Sequence, residues 1–441
     1  MIKEIEQFPA EQLVHHSPEN SATPISFRGY TAESLLAAYR QAGPVFETEF
    51  HGEPFTILVG LDANETAWRT PDSWSYHEAV AVFREELSEL HLTQLDRQPH
   101  RRKRRLLNKG FKNSAIMSGM ADTAATIKSG LGQLSGKEVE LHHELMKIFT
   151  RAQAATSVKA NFSDAEIEQM VDFEEGFIGA LFMKKHERAF VYNRASYLDV
   201  KTRVLSRLHA IVKERLTREE PEDLLDEVIQ QKTSSAIEAL SEKELIYDCY
   251  LMLIAGTGNT SKLTAYLLDA LARHPDWTAK LREEIGEFHP SKFAEGMKQF
   301  PLLKATILET ERMFPAAPVL PRVPSEDIEF LGYPIAAGTR CLHLASLMHF
   351  DGQIYEDPFD FKPQRWLDHD YPKSAHGIFG GGSHTCLGMN VSRLQIPLTI
   401  AYLVSGYDFA VTQGPRMEHY AYPDELDSST LRLNVILNKK S

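Results

Sequence analysis

The residues with the clearest chemical capacity lie in one short stretch, Phe379-Gly-Gly-Gly-Ser-His-Thr-Cys386-Leu-Gly388. One cysteine stands in a loop packed with glycines, directly before a run that reads as a helix from Met389 to Val404. Glycine lets a backbone turn tightly and come close to a flat group, because no Cβ obstructs it. A cysteine at a helix N-terminus is expected to have a lowered pKa, since free amides and the helix dipole favour the anion. The pattern offers a thiolate projecting from a loop, which is what an iron ligand requires. An isolated cysteine is more often a buried small hydrophobe, so the rest of the chain must supply matching parts.

Glu309 and Arg312 lie three apart on a stretch that reads as a helix from Leu302 to Phe314 and share one face of it. Arg365 follows in Pro363-Gln-Arg365-Trp366. In His100-Arg-Arg-Lys-Arg104-Arg105, His100 and Arg104 fall on one helix face, with Arg101, Lys103 and Arg105 directed elsewhere. Arg322 opens a β-like region that extends to about residue 345.

The pattern Phe-x-x-Gly-x-x-x-Cys-x-Gly resembles the haem loop of the cytochrome P450 family, and the other segments follow in that family's order. The resemblance implies haem b (iron protoporphyrin IX) with Cys386 as axial metal ligand and Phe379 and Gly388 framing the loop. It implies propionate-binding roles for His100, Arg104, Arg322 and His384, and a buried structural triad of Glu309, Arg312 and Arg365. It also implies a mainly α fold with small β-sheets. Arg101, Lys103 and Arg105 are left on the surface, where an acidic electron donor could dock.

A helix expected over Ser241 to Arg273 would cross the haem with Ala255-Gly256-Thr257-Gly258-Asn259-Thr260. Gly256 to Leu263 also approaches a P-loop and a G-x-G-x-x-G motif. Both fail, because residue 261 is serine and residue 263 is leucine. Apolar residues continue past the glycines at helical spacing, with no break expected at Gly258. The family usually carries an acid and a threonine where Gly258 and Asn259 stand, a pair that passes protons to dioxygen. Glycine has no side chain and asparagine does not titrate, while Thr257 and Thr260 turn away from the direction of residue 259. A substrate hydroxyl or ordered water could complete the relay. Alternatively the reaction is a coupling, cyclisation or rearrangement, or is driven by peroxide.

Composition frames these sites. The 441 residues are 43% hydrophobic, enough for a large core, and carry 61 acidic against 48 basic side chains, a net −13. Such a surface repels nucleic acid. No apolar stretch reaches the ~18–20 residues of a membrane span, the start of the chain is polar, and three cysteines build no disulfide framework. These features, with the resemblance, give the expectation of a cytoplasmic monomer of the soluble bacterial type. His142-His143-Glu144-Leu-Met-Lys147 resembles a zinc-protease motif but lacks its second histidine.

The elements that must position the site are helices at Thr31–Ala42, Arg101–Lys109, Asp164–Phe182, Tyr197–Leu216, Trp277–Phe288 and the stretches above, with a strand at Phe55–Gly60. A single domain over 1–441 is expected, with a β-rich lobe from about 1–70 and 318–345 and a helical core from about 95–440. Trp74, Phe83, Phe177, Phe182 and Val319 are candidate pocket walls. The expected function is oxidation of a hydrophobic or amphipathic small molecule, free or carrier-bound, in natural-product biosynthesis. Electrons would come from a ferredoxin or flavodoxin with its reductase. A non-turnover haem sensor and a P-loop nucleotide-binding protein are the alternatives from other classes.

Overall fold

Several helices begin where the sequence carries its own stop signal for the preceding loop. Ser163 and Glu166, and again Ser241 and Glu244, exchange side-chain and backbone hydrogen bonds as capping boxes, satisfying amides that a helix start leaves free. Thr31 and Ser34 do the same at the first helix. The computed structural model describes residues 24–25, 31–50, 53–180, 183, 185–230, 240–414 and 433–440.

The longer helices are α1 (Ala32–Ala42), α2 (Arg97–Leu107), α3 (Met120–Leu134), α4 (Leu141–Gln153), α5 (Asp164–Gly179) and α6 (Ala195–Arg215). They continue with α7 (Glu242–Leu253), α8 (Thr257–Arg273), α9 (Pro275–Ile285), α10 (Pro301–Met313) and α11 (Met389–Gly406). The architecture is mainly α with small sheets. In the largest sheet, β1 (Pro24–Ile25), β2 (Val45–Phe50) and β3 (Glu53–Leu58) are joined by two later strands. These are β5 (Leu320–Arg322) and β8 (Cys341–His343), β8 running parallel to β3 with Thr56 opposite Cys341. A second sheet orders β4 (Glu138–Glu140), β10 (Asn434–Lys439) and β9 (Tyr407–Gln413), and β6 (Ile328–Phe330) pairs with β7 (Tyr333–Ile335).

Helix α11 is buried on every side from Val391 to Leu398 except at Arg393, and on to Val404, as a helix apolar all round must be. It packs with Leu131 of α3, Phe149 of α4 and Leu267 and Leu271 of α8 in one core. Because α11 starts three residues after Cys386, the cysteine loop is anchored to the most buried helix of the fold.

The single helix expected over Ser241–Arg273 is two helices. Residues 254–256 form a turn, and Gly256 has φ 108°, a left-handed conformation that glycine alone adopts readily. Apolar residues recur at helical spacing on both sides of the break, the first helix burying them in one core cluster and the second in another, so the pattern could not reveal it.

Candidate active site

The Cys386 backbone N–H donates to the Phe379 carbonyl oxygen at 2.8 Å, closing the loop on itself. Arg393 lies over the Phe379 ring at 5.1 Å, tying the loop to the first turns of α11. Part of Cys386 remains open to solvent, yet protein packed around the sulfur raises its pKa. The Gly388 and Met389 amides and the Arg104 guanidinium favour the thiolate but do not outweigh desolvation. The lowered pKa expected from the helix-start position is thus corrected: burial outweighs the amides and Arg104, so a thiolate here would need a further positive charge beside it, which a bound metal ion would supply. The glycines are explained by a flat neighbour: a Cβ at Gly377 or Gly381 would strike the Trp68 indole, and one at Gly382 the Trp68 carbonyl.

Four side chains from four distant segments form a column. The His384 ring stacks on Tyr76 at 3.6 Å on one side and on His100 at 3.7 Å on the other. Arg322 lies over the other side of Tyr76 at 4.9 Å. Tyr76 is fixed by its N–H donating to Asp96 at 2.6 Å. Burial and the Arg104 charge lower the His100 pKa to about 4. Burial and His100 lower that of His384 to about 2, so both rings are neutral donors at pH 7. Arg322 is buried, donates to the Pro321 carbonyl, and leaves its Nε without a partner. Among the described residues Arg104 donates to Asn108 Oδ1 at 2.9 Å. Neither guanidinium meets a carboxylate among the described residues. Two unneutralised arginines and two neutral histidines beside one cysteine fit an iron porphyrin bearing two propionates. No group of three or more His, Cys, Asp or Glu side chains among the described residues could hold a metal ion by itself.

Glu309, Arg312 and Arg365 come together in the interior. Glu309 accepts from Arg312 at 2.8 and 2.9 Å, from Arg365 at 3.1 Å, from the Trp366 indole at 2.8 Å and from the Lys362 N–H at 2.9 Å. Arg312 and Arg365 spend their other donors on the carbonyls of His349, Pro358 and Glu356. A buried carboxylate needs this saturation to remain charged.

Around the helix interruption, Thr257 and Thr260 are buried and Asn259 is exposed, so residue 259 occupies the opposite face. Ala255 is half-buried and Gly256 exposed. Position 258 faces α4: a Cβ there would lie 3.7 Å from Met146, and the Gly258 carbonyl accepts from His142 at 3.3 Å and Ser261 at 2.9 Å. Sequence reading dismissed His142 as a failed zinc ligand. It also missed Tyr76 and Trp68, which no motif spacing connects to the cysteine loop.

Lys103 is not on the surface. It is wholly buried, 2.9 Å from a wholly buried Asp248 of α7, and it also donates to the Leu90 carbonyl. Arg101 pairs with Asp72 at 2.7 Å, while Arg105 is exposed. Among the pocket candidates, Phe83 and Phe177 meet edge to face at 5.1 Å. Trp74 packs on Phe330 in one sheet-side cluster and Val319 lies in another, so these two do not join them. Phe182 lies outside the described residues.

A profile of the cytochrome P450 family matches residues 28–423. The cytochrome P450 numbered 139 of Mycobacterium tuberculosis is 23% identical over 387 residues, covering 85% of this chain and 90% of the relative. Corytuberine synthase of Coptis japonica is 33% identical over 248 residues, covering 53% and 49%. A solved structure titled retinoic acid bound cyanobacterial CYP120A1 superposes with a TM-score of 0.74 at 21% identity, covering 92% of this chain and 94% of the other.

Proposed function

The chain belongs to the cytochrome P450 family, and from that premise we propose that it oxidises a hydrophobic or amphipathic small molecule in natural-product tailoring. Membership makes it a haem-containing oxidoreductase acting with molecular oxygen. The observation that carries the assignment of roles is the convergence of Cys386, His100, Arg104, Arg322 and His384 on one site.

Haem held through a cysteine thiolate supplies oxygen activation, because the thiolate pushes electron density toward O–O cleavage. In this reading Cys386 would hold the iron, and the Gly388 and Met389 amides would temper its charge. Arg104 and Arg322 would neutralise the propionates, and the neutral rings of His100 and His384 would donate hydrogen bonds to them. Gly256 and Ala255 would leave room for the group and its substrate, and the exposed Asn259 amide would orient a water or a substrate hydroxyl without itself exchanging a proton. A substrate that brings its own hydroxyl, or a coupling or ring-closing reaction with little need for a relay, suits this arrangement best. Exposed basic residues on and after α2, Arg105, Lys109 and Lys112, are suited to an acidic ferredoxin or flavodoxin donor. Among the described residues no helix is long and apolar enough to cross a membrane.

The test is the visible spectrum of the purified ferric protein, titrated with lipids, terpenoids, polyketides and carrier-bound acyl groups. A thiolate-haem Soret band that one class shifts from low to high spin is expected. A colourless protein, or one whose band is unchanged in Cys386→Ser, contradicts the assignment.

A further inference from the structure

The first turn of α4 carries two histidines in succession, His142 and His143, and their rings reach different helices. Glu140 caps that turn, accepting from the His142 N–H at 3.2 Å and the His143 N–H at 2.7 Å. The His143 ring lies between two carboxylates of α5, with Nδ1 3.3 Å from Glu175 and Nε2 2.8 Å from Glu168. The bond to Glu175, with that to Glu168, overcomes burial and raises its pKa to about 9, so His143 is a cation at pH 7. Lys147, one turn on, pairs with Glu168 at 3.3 Å, so α4 is tied to α5 twice.

His142 is in the opposite state. Burial, then the Lys262 charge, lowers its pKa to about 4, so at pH 7 the ring is neutral and carries one N–H. Its Nε2 stands 3.3 Å from the Gly258 carbonyl oxygen, which can only accept, and this puts the proton on Nε2. The Ser261 hydroxyl donates to the same oxygen at 2.9 Å.

The break at Gly256 gives the His142 bond its significance. The turn at residues 254–256 separates α8 from α7, so the first turn of α8 does not inherit its rotation from a preceding helix. Local bonds close that turn. The Thr257 N–H and hydroxyl both donate to the Ile254 carbonyl, at 2.9 and 2.8 Å, and the Thr260 N–H donates to that of Gly256 at 3.0 Å. These bonds stay within the α7–α8 segment, whereas the His142 bond ties the turn to another helix. Gly258 permits the approach, since a side chain reaching beyond Cβ there would press on the buried Met146 of α4. Asn259 is exposed on the opposite face of the same turn.

We infer that His142 is a positioning residue for the oxidation: by holding the Gly258 carbonyl from α4, it fixes the direction in which Asn259 presents its amide to the iron side. The inference rests on the haem reading above and adds to it a residue that touches neither substrate nor cofactor.

Two measurements on the haem-loaded protein test it. Hydrogen–deuterium exchange at residues 257–262 reads the anchor. In His142→Phe, which keeps a flat ring without the donor, exchange there is expected to quicken about fivefold to tenfold, the loss of one hydrogen bond from a local opening equilibrium. His142→Gln, which keeps an N–H, should recover much of the protection, and α10 should exchange alike in all three proteins. The C–O stretch of carbon monoxide on the ferrous haem reads the consequence. Asn259→Leu should shift that band in wild type, and the shift should shrink by about half or more in a His142→Phe background, because an amide no longer aimed has less to lose. Unchanged exchange, equal quickening in α10, or no recovery in His142→Gln overturns the inference. So does an Asn259→Leu shift that is absent, or of the same size in both backgrounds. A wild type that forms no thiolate-bound carbon monoxide complex overturns instead the haem reading beneath it.

Discussion

At the scale of single residues, the proposed reading turns on Gly258 and Asn259, which in that reading stand in place of the titrating pair. His142 stands against the Gly258 carbonyl with its pKa lowered to about 4 by burial and the Lys262 charge, hence neutral. If Asn259 faces oxygen, Asn259→Thr should raise product formed per electron consumed severalfold, about 1 kcal/mol in the partition between product and wasted reduction. The check is NADH consumption against product in a reconstituted system, and unchanged coupling places residue 259 outside the oxygen path. The cysteine loop and the propionate cations were legible because each is a fixed residue type at a fixed offset. Tyr76 and Trp68 were not, because they reach the site through folding alone, from helices with no register to Cys386.

At the scale of elements, the chain hides a connection that its charge pattern disguises. The run from Arg101 to Arg105 reads as a solvated basic face, yet Lys103 turns inward and joins α2 to α7 through Asp248. The sequence carries no mark of this, since a lysine among arginines looks like any other surface cation. Burial raises the Asp248 pKa to about 6, and the Lys103 charge opposes the rise. Removing one partner strands the other: Lys103→Met should cost ~3–5 kcal/mol, whereas Lys103→Met with Asp248→Leu should return close to wild type. Urea unfolding of both variants decides it, and equal losses in single and double mutants would show that the pair does not act as a unit. Helix α7 ends at the same interruption that periodicity concealed, so its two ends are fixed by features of opposite visibility. Its capping box at Ser241 was readable and its stop at Ile254, before the Gly256 turn, was not.

At the scale of the whole molecule, the acidic surplus is not confined to the surface. Burial raises the pKa of Asp223 to about 6 and those of Glu174 and Glu311 to about 7. A carboxyl whose folded pKa exceeds its unfolded value contributes stability that is fully present below the unfolded pKa and is lost as pH rises through the folded one. For Glu174 the window runs from about pH 4.5 to about pH 7 and is worth roughly 3 kcal/mol at most. Its partner, the Tyr250 hydroxyl, can serve an amide equally well. Glu174→Gln should therefore gain on wild type as pH rises across that window in urea midpoints. A constant difference between the two proteins would mean that Glu174 does not titrate there.

The overall class was readable from helical spacing and motif order, but the strand order was not, since pairing between remote segments leaves no local trace. That pairing also has a cost during synthesis. The β2–β3 hairpin emerges from the ribosome early, but β3 finds its neighbour β8 only after most of the chain has been translated. Until then one side of β3 offers unpaired amides and carbonyls to any passing strand. Yield in a foreign host is thus set by how well that hairpin is shielded while the helices between its two partners are still being made.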